Sequence, residues 1–113
     1  MRSKQRLIRS KPNSKKAENM PRLRYSAESK EDLKQIARFI ARDKPVAARQ
    51  WVQKLRDKCR LVGKHPDVGD VRPEFGDGIR STYVGSYVIF FRRVEGFLEI
   101  VRVIRGDVDE PQI

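Results

Sequence analysis

Residues 79–106 most constrain the fold, because they have the character of three consecutive β-strands. β-branched and aromatic residues dominate this stretch and no proline interrupts it. Two short pairs, Gly85-Ser86 and Glu95-Gly96, divide it where a glycine accepts the backbone of a tight hairpin turn. The sequence therefore predicts an antiparallel three-stranded meander, in which each loop joins two directly opposed residues. Those opposed pairs are Val84 with Tyr87 and Val94 with Phe97.

The predicted register assigns every side chain of the meander to one of two faces. One face carries Arg80, Thr82, Val84, Tyr87, Ile89, Phe91, Arg93, Leu98, Ile100, Arg102 and Ile104, and the other carries Ile79, Ser81, Tyr83, Val88, Phe90, Arg92, Phe97, Glu99, Val101, Val103 and Arg105. The faces are equally apolar, so composition does not say which one packs on helices. Arg92 lies opposite Glu99, an ion pair worth about 0.2–1 kcal/mol. Arg80 and Arg102 share a face about 12 Å apart.

Length and composition predict one small, basic domain. The chain has 113 residues and a net charge of +11, which favours nucleic acid or an acidic protein as its partner. A lone Cys59 and a lone His65 allow no internal disulfide and predict no zinc cluster. No apolar run approaches the roughly 20 residues that span a membrane. We therefore expect a soluble, cytoplasmic protein.

The first 19 residues differ in composition from the rest. They contain seven Lys or Arg and one acidic residue, with few aliphatic side chains to bury. We predict a disordered basic extension over residues 1–19, which either contacts nucleic acid or is dispensable upstream of a start at Met20. Residues 20–113 then form the single domain and remain basic, with 19 basic and 14 acidic residues.

The segment from Met20 to Val62 predicts a short strand followed by two helices. Residues 20–25 alternate apolar and basic side chains, as in a strand at the edge of the meander. Ser26 is a good N-cap for an amphipathic helix from Ala27 to about Arg42. Asp43 caps a second helix that begins at Pro45 and ends near Val62, with Gly63 as its C-terminal cap. So short a link makes the two helices an antiparallel hairpin.

Residues 65–78 predict a loop between the second helix and the meander, because turn-forming residues cluster there without periodicity. Val68 and Phe75 are expected to anchor this loop to the core. His65 is more typical of an exposed or capping residue than of a catalytic one. Cys59 lies on the apolar stripe of the second helix and fits a small buried side chain.

Arginines are the strongest candidates for function, since the chain lacks a phosphate-binding loop, a Ser/His/Asp set and a metalloprotease motif. The planar guanidinium binds phosphate or carboxylate through two parallel hydrogen bonds. For each arginine an ion pair with an acid such as Asp77, Asp107 or Asp109 is equally consistent with the sequence. The candidates on and beside the predicted sheet are Arg80, Arg92, Arg93, Arg102 and Arg105.

The order of strand, helix hairpin, loop and meander resembles the toxins of the RelE/ParE superfamily from type II toxin–antitoxin modules. The resemblance covers about residues 23–107 and implies an α+β fold in which the first strand and the meander complete one sheet. The local patterns that carry it are Asp32-Leu33 with Ile36, Pro45 with Ala47-Ala48, His65-Pro66-Asp67-Val68-Gly69, Gly78-Ile79-Arg80-Ser81, and the runs 85–92 and 99–104.

The superfamily contains two activities, and the resemblance favours one of them. RelE-like members cut mRNA on the ribosome, whereas ParE-like members bind and poison DNA gyrase. RelE-like nucleases tend to carry an arginine just after the Gly-x-Tyr that opens a strand, where this chain has Val88, and a basic residue, tyrosine or histidine beyond the last strand, which residues 106–113 do not supply. The pattern of Arg80, Tyr87 and Arg102 is closer to the ParE-like branch.

The resemblance implies a toxin that inhibits DNA gyrase by binding, with no metal or cofactor, and that serves in plasmid stabilisation. It also implies a cognate antitoxin and a toxin–antitoxin hetero-oligomer. The alternative is an mRNA endonuclease that acts on the ribosome and uses the five arginines to hold the phosphate. Antitoxin contacts are expected at Arg38, Phe39, Arg42, Arg49, Trp51 and Lys54, although Phe39 and Trp51 equally fit an ordinary core.

Overall fold

The computed structural model describes residues 22–106, so the predicted extension 1–19 and the acidic residues 107–113 lie outside the described residues. The elements are β1 (Arg22–Tyr25), α1 (Ala27–Ala41), α2 (Pro45–Lys64), β2 (Asp70–Val71), a 3-10 helix (Pro73–Phe75), β3 (Arg80–Val84), β4 (Tyr87–Val94) and β5 (Phe97–Arg105). This order confirms the predicted strand, helix hairpin and meander.

The described strands form one five-stranded sheet in the order β1-β5-β4-β3-β2. β1 runs parallel to β5, and the other neighbours are antiparallel. The predicted position of the first strand at the edge of the meander is confirmed. The stretch predicted as a loop contains β2, because Asp70 pairs with Ser81 and the Arg72 N–H donates to the Ile79 carbonyl at 2.8 Å.

The ends of the two helices test the capping residues that the sequence predicts. The hydroxyl of Ser26 accepts the N–H of Ser29 at 3.0 Å, which confirms the predicted N-cap. The predicted start of α2 at Pro45 is confirmed, but both predicted capping residues were wrong. Lys44, not Asp43, precedes its first residue and makes no capping bond through its side chain. Gly63 lies inside the helix and faces Leu23, where an added Cβ atom would make an ordinary van der Waals contact.

The predicted hairpin register is confirmed, but a β-bulge changes the faces of the last strand. Phe90 lies opposite Arg102 while the next residue, Phe91, lies opposite Ile100. Val101 is the extra residue, and the pairing beyond it is displaced by one position. The prediction that Arg80 and Arg102 share a face is therefore wrong. The predicted face was also wrong for Val103, Ile104 and Arg105, which pair with Ile89, Val88 and Tyr87.

Two apolar clusters lie on opposite faces of the sheet. The larger cluster lies under the helix hairpin and contains Leu33, Ile36, Leu55, Cys59, Val62, Tyr87, Ile89, Phe91, Leu98, Ile100 and Val103. The smaller cluster contains Ile79, Val88 and Phe90, against which Phe75, Val101 and Ile104 pack.

Individual residues of these clusters test the predicted anchors. The rings of Phe75 and Phe90 meet edge to face with centroids 5.1 Å apart, which confirms Phe75 as an anchor of its segment. Val68 was wrongly expected to do the same, since it is 43% exposed. Cys59 is fully buried, and this burial raises the pKa of its thiol to about 11. It therefore behaves as the small apolar side chain that the sequence predicts.

Candidate functional site

The structure divides the five candidate arginines into groups. Arg80, Arg92 and Arg93 line one pocket of about 190 Å³, which we call the arginine pocket. Arg102 and Arg105 are not among its lining residues. The other residues of the arginine pocket are Pro66, Asp67, Gly78 and Phe91.

Arg80 holds the segment after α2 against the sheet. Its Nη1 atom donates to the carbonyl oxygens of Asp67 at 3.0 Å and Gly69 at 3.4 Å. Gly69 has a φ of 89°, and a Cβ atom there would lie 2.5 Å from the Ser81 carbonyl oxygen. Only glycine allows the backbone at position 69 to lie so close to β3. This close packing of the segment places the Asp67 carboxylate beside the arginines.

The other two arginines of the pocket each face an acid. Arg92 Nε donates to Glu99 Oε1 at 3.0 Å, so the predicted cross-strand pair is present. Arg93 Nη1 lies 3.7 Å from Asp67 Oδ1, which is longer than a hydrogen bond. Arg92 is therefore held by Glu99, while Arg93 is only loosely paired.

Arg102 joins α1 to β5. Its Nε atom donates to Asp32 Oδ2 at 2.7 Å and its Nη2 atom to Asp32 Oδ1 at 3.0 Å. These hydrogen bonds raise the pKa of Arg102. The N–H of Val103 donates to the same carboxylate at 2.9 Å. Asp32 was not predicted as its partner, although an acid next to Leu33 on the apolar stripe of α1 was a usable signal.

An aromatic and basic surface lies at one end of the sheet. The guanidinium of Arg105 lies 5.8 Å from the centroid of the Phe39 ring, which is 56% exposed and therefore not a core residue. Trp51 packs edge to face on Tyr87 at 5.6 Å and contributes to the larger core cluster. Lys54 Nζ lies 4.9 Å from the centroid of the Trp51 ring.

The remaining antitoxin candidates are spread along the hairpin. Arg38 Nη1 lies 3.8 Å from Glu31 Oε2, and Arg42 follows the last residue of α1. Arg49 lines a groove on the outer surface between α1 and α2. Sequence patterns could not reveal this groove, because it depends on how far apart the two helices lie.

The groove consists of two adjoining cavities of about 350 and 560 Å³ that share Ala37 and Val52. We call it the hairpin groove. Small apolar side chains line it, and four cations and no acid are among its lining residues. The full set is Tyr25, Lys30, Leu33, Lys34, Ala37, Ala41, Pro45, Ala48, Arg49, Val52, Gln53 and Arg56.

Residues 22–106 show no sign of a metal site or of a membrane-spanning helix. That part of the chain contains no group of three or more His, Cys, Asp and Glu side chains placed to hold a metal ion. None of its helices combines the length and apolar character needed to cross a membrane. His65 is exposed at the end of α2, where its N–H donates to the carbonyls of Leu61 and Val62.

Comparison with known proteins agrees with this architecture. A family model described as the ParE toxin of the type II toxin–antitoxin system parDE matches residues 23–109. A solved chain from the chromosomal ParDE system of P. aeruginosa superposes with a TM-score of 0.69 at 21% identity, covering 78% of this chain and 98% of that chain. No curated protein sequence gives a significant match. The structural likeness shows a shared fold, and the family model extends over most of the chain.

Proposed function

This chain belongs to the ParE toxin family of type II toxin–antitoxin systems, and from that premise we propose that it inhibits DNA gyrase by binding it. The observation that most supports binding over catalysis concerns Val88. This side chain is 6% exposed and packs with Ile79 and Phe90. A buried valine can neither transfer a proton nor neutralise a phosphate, and it stands where the RelE-like nucleases tend to carry an arginine. Gyrase is a cytoplasmic enzyme, so we place the toxin there.

The mRNA endonuclease remains the second candidate function. The arginine pocket favours it to the extent that three cations surround one acid, Asp67, which could act as a base. That pocket lies apart from Val88, whose cluster is on the opposite face of the sheet from the helices. The two candidate functions differ in their target, which is DNA gyrase for the first and mRNA on the ribosome for the second.

Two assays run side by side test the proposal. We expect the full chain to inhibit supercoiling by purified gyrase and to leave mRNA intact on translating ribosomes. A toxin that acts only by binding gyrase would inhibit supercoiling and would leave mRNA intact, because its action breaks no bond in RNA. Cleaved mRNA together with normal supercoiling would contradict the proposal and favour the endonuclease.

We propose in addition that a cognate antitoxin neutralises the toxin through the hairpin groove. Lys30 and Ala41 are eleven positions apart on α1, which is on the order of 17 Å of helix, or about three turns. The small side chains of Ala37, Ala41 and Ala48 leave space for an incoming apolar helix face. The four cations of the groove would pair with acidic side chains at its flanks.

Charge reversal in the groove tests the antitoxin site. We expect the double variant Lys34→Glu, Arg49→Glu to lose co-purification with the proposed cognate antitoxin, since the acidic side chains of that partner would then face like charges. Lys44→Glu, Lys64→Glu is the matched control, because both lysines are exposed and neither lines the groove. Equal capture of the two double variants would rule out the groove as the antitoxin site.

A further inference from the structure

We propose that the arginine pocket is a phosphate-binding site in which Arg80 and Arg93 hold the anion and the Asp67 carboxylate competes with it. The inference deepens the proposed function, since a toxin bound to gyrase would meet the phosphates of the DNA that gyrase holds. Only that source of phosphate rests on the proposed function. The site itself is argued from the geometry of the pocket.

Arg80 presents a guanidinium of fixed position. The carbonyl groups of Asp67 and Gly69 anchor it through Nη1. A guanidinium has five N–H donors, and the contacts described for Arg80 use this one nitrogen. A side chain whose orientation is already fixed loses little conformational freedom when it binds an anion.

Arg93 supplies the less constrained half of the site. Its side chain is 59% exposed, and its 3.7 Å separation from Asp67 Oδ1 is too long for a hydrogen bond. Surface ion pairs of this kind contribute little to stability, so Arg93 can turn to a better acceptor at small cost. A phosphate offers oxygens in several directions and accepts two parallel hydrogen bonds from one guanidinium.

The size of the pocket suits a phosphate group better than a larger ligand. Pockets for drug-sized molecules have volumes of about 300–1,000 Å³, whereas this one has about 190 Å³. Pro66, Gly78 and the buried Phe91 ring add no charge to its lining. The pocket therefore admits a small anion beside the two arginines.

The charges around the pocket explain how Asp67 would affect phosphate binding. Glu99 neutralises Arg92, while Asp67 partly neutralises Arg93. The side chain of Asp67 is 84% exposed, so an arriving phosphate can displace it into solvent. Opposite substitutions should then act in opposite directions: loss of Arg93 weakens phosphate binding, and loss of the Asp67 charge strengthens it.

The test uses the full chain with inorganic phosphate in one arm and a short DNA duplex in the other. We expect Arg93→Ala to weaken binding of the phosphate probe by about tenfold, the value of one charge-assisted bidentate contact. Asp67→Asn should tighten it by about threefold. Arg38→Ala and Asp57→Asn are the matched controls, since they remove the same charges from exposed ion pairs on the helices. Both controls should stay within about twofold.

Each outcome decides a different point. Response to both probes identifies phosphate of the DNA backbone, and response to inorganic phosphate alone identifies a free phosphate ligand. The inference is wrong if Arg93→Ala equals Arg38→Ala, or if Asp67→Asn equals Asp57→Asn, in variants whose melting temperatures match that of the parent. Gyrase inhibition by a chain that binds no phosphate would refute only this site. Phosphate binding without gyrase inhibition would refute the proposed target instead.

Discussion

At the scale of single residues, Asp32 is the side chain with the most consequential contacts. β1 pairs with residues 97–100 of β5, so the N–H of Val103 lies beyond the end of the parallel neighbour. A backbone donor in that position needs another acceptor, and Asp32 supplies it at 2.9 Å. The same carboxylate holds Arg102 through two hydrogen bonds. We therefore assign Arg102 to the fold, although the sequence made it a candidate for contact with the target.

Replacement of Asp32 tests this assignment. We expect Asp32→Ala to lower the free energy of unfolding by about 2–4 kcal/mol, because it removes the carboxylate that accepts two hydrogen bonds from the half-buried Arg102 and one from the Val103 N–H. Glu31→Ala is the control one residue away, and loss of its exposed pair with Arg38 should cost less than about 1 kcal/mol. Urea denaturation measures both values. Equal losses would show that Asp32 is not a structural anchor.

At the scale of elements, the turn between β3 and β4 docks directly under α2. Gly85 has a φ of 57°, and a Cβ atom there would lie 2.6 Å from the Trp51 ring. Trp51 in turn packs on Tyr87, the first residue of β4. The glycine serves both the backbone of the turn and the packing of the helix. The turn between β4 and β5 differs, because a Cβ atom added to Gly96, whose φ is 84°, would meet nothing within 4 Å.

The two glycines form a matched pair for measurement. Both alanine variants incur the cost of a positive φ, but only Gly85→Ala also clashes with Trp51. We expect Gly85→Ala to be about 1–3 kcal/mol more destabilising than Gly96→Ala. Trp51 is the single tryptophan, so its fluorescence should shift in the Gly85 variant alone. Identical stability and identical spectra would mean that the turn and α2 are not tightly packed.

At the scale of the whole molecule, part of the positive charge lies outside the segment that supplies the described core. The side chains of the two apolar clusters all come from residues between Leu23 and Ile104. The first 19 residues hold seven of the 26 basic residues. The stability of the folded domain should therefore not depend on these 19 residues. The long-range attraction to an anionic partner should depend on them, because they carry part of the positive charge.

Removal of residues 1–19 separates these two contributions. We expect a chain beginning at Met20 to unfold with a free energy within about 0.5 kcal/mol of the full chain, because no described core residue is lost. Its affinity for duplex DNA should fall less steeply with salt, since fewer cations displace counterions. Thermal unfolding and a salt titration measure the two effects. A large loss of stability would place the extension within the folded domain.

Much of the fold could be predicted from the sequence, because local chemistry controls it. The glycines at 85 and 96 determined both hairpin turns, and from those turns followed the opposed pairs and the contact of Arg92 with Glu99. Ser26 marked the start of α1, and Pro45 that of α2. Each of these signals acts within a few residues, where backbone geometry and a single hydrogen bond decide the conformation.

The site depended on tertiary structure, because its contacts join residues that are distant in sequence. The bulge at Val101 left no mark in the sequence, since apolar residues occupy both sides of the last strand. The bulge moved Arg102 out of register with Arg80. Arg102 instead donates to Asp32, which lies 70 residues away in the sequence. The arginine pocket and the hairpin groove likewise exist only after the loop and the helices have packed. The sequence by itself determined the first strand, the two helices, the meander and its register up to the bulge, because short-range signals control them. The packing of those elements decided which charges meet.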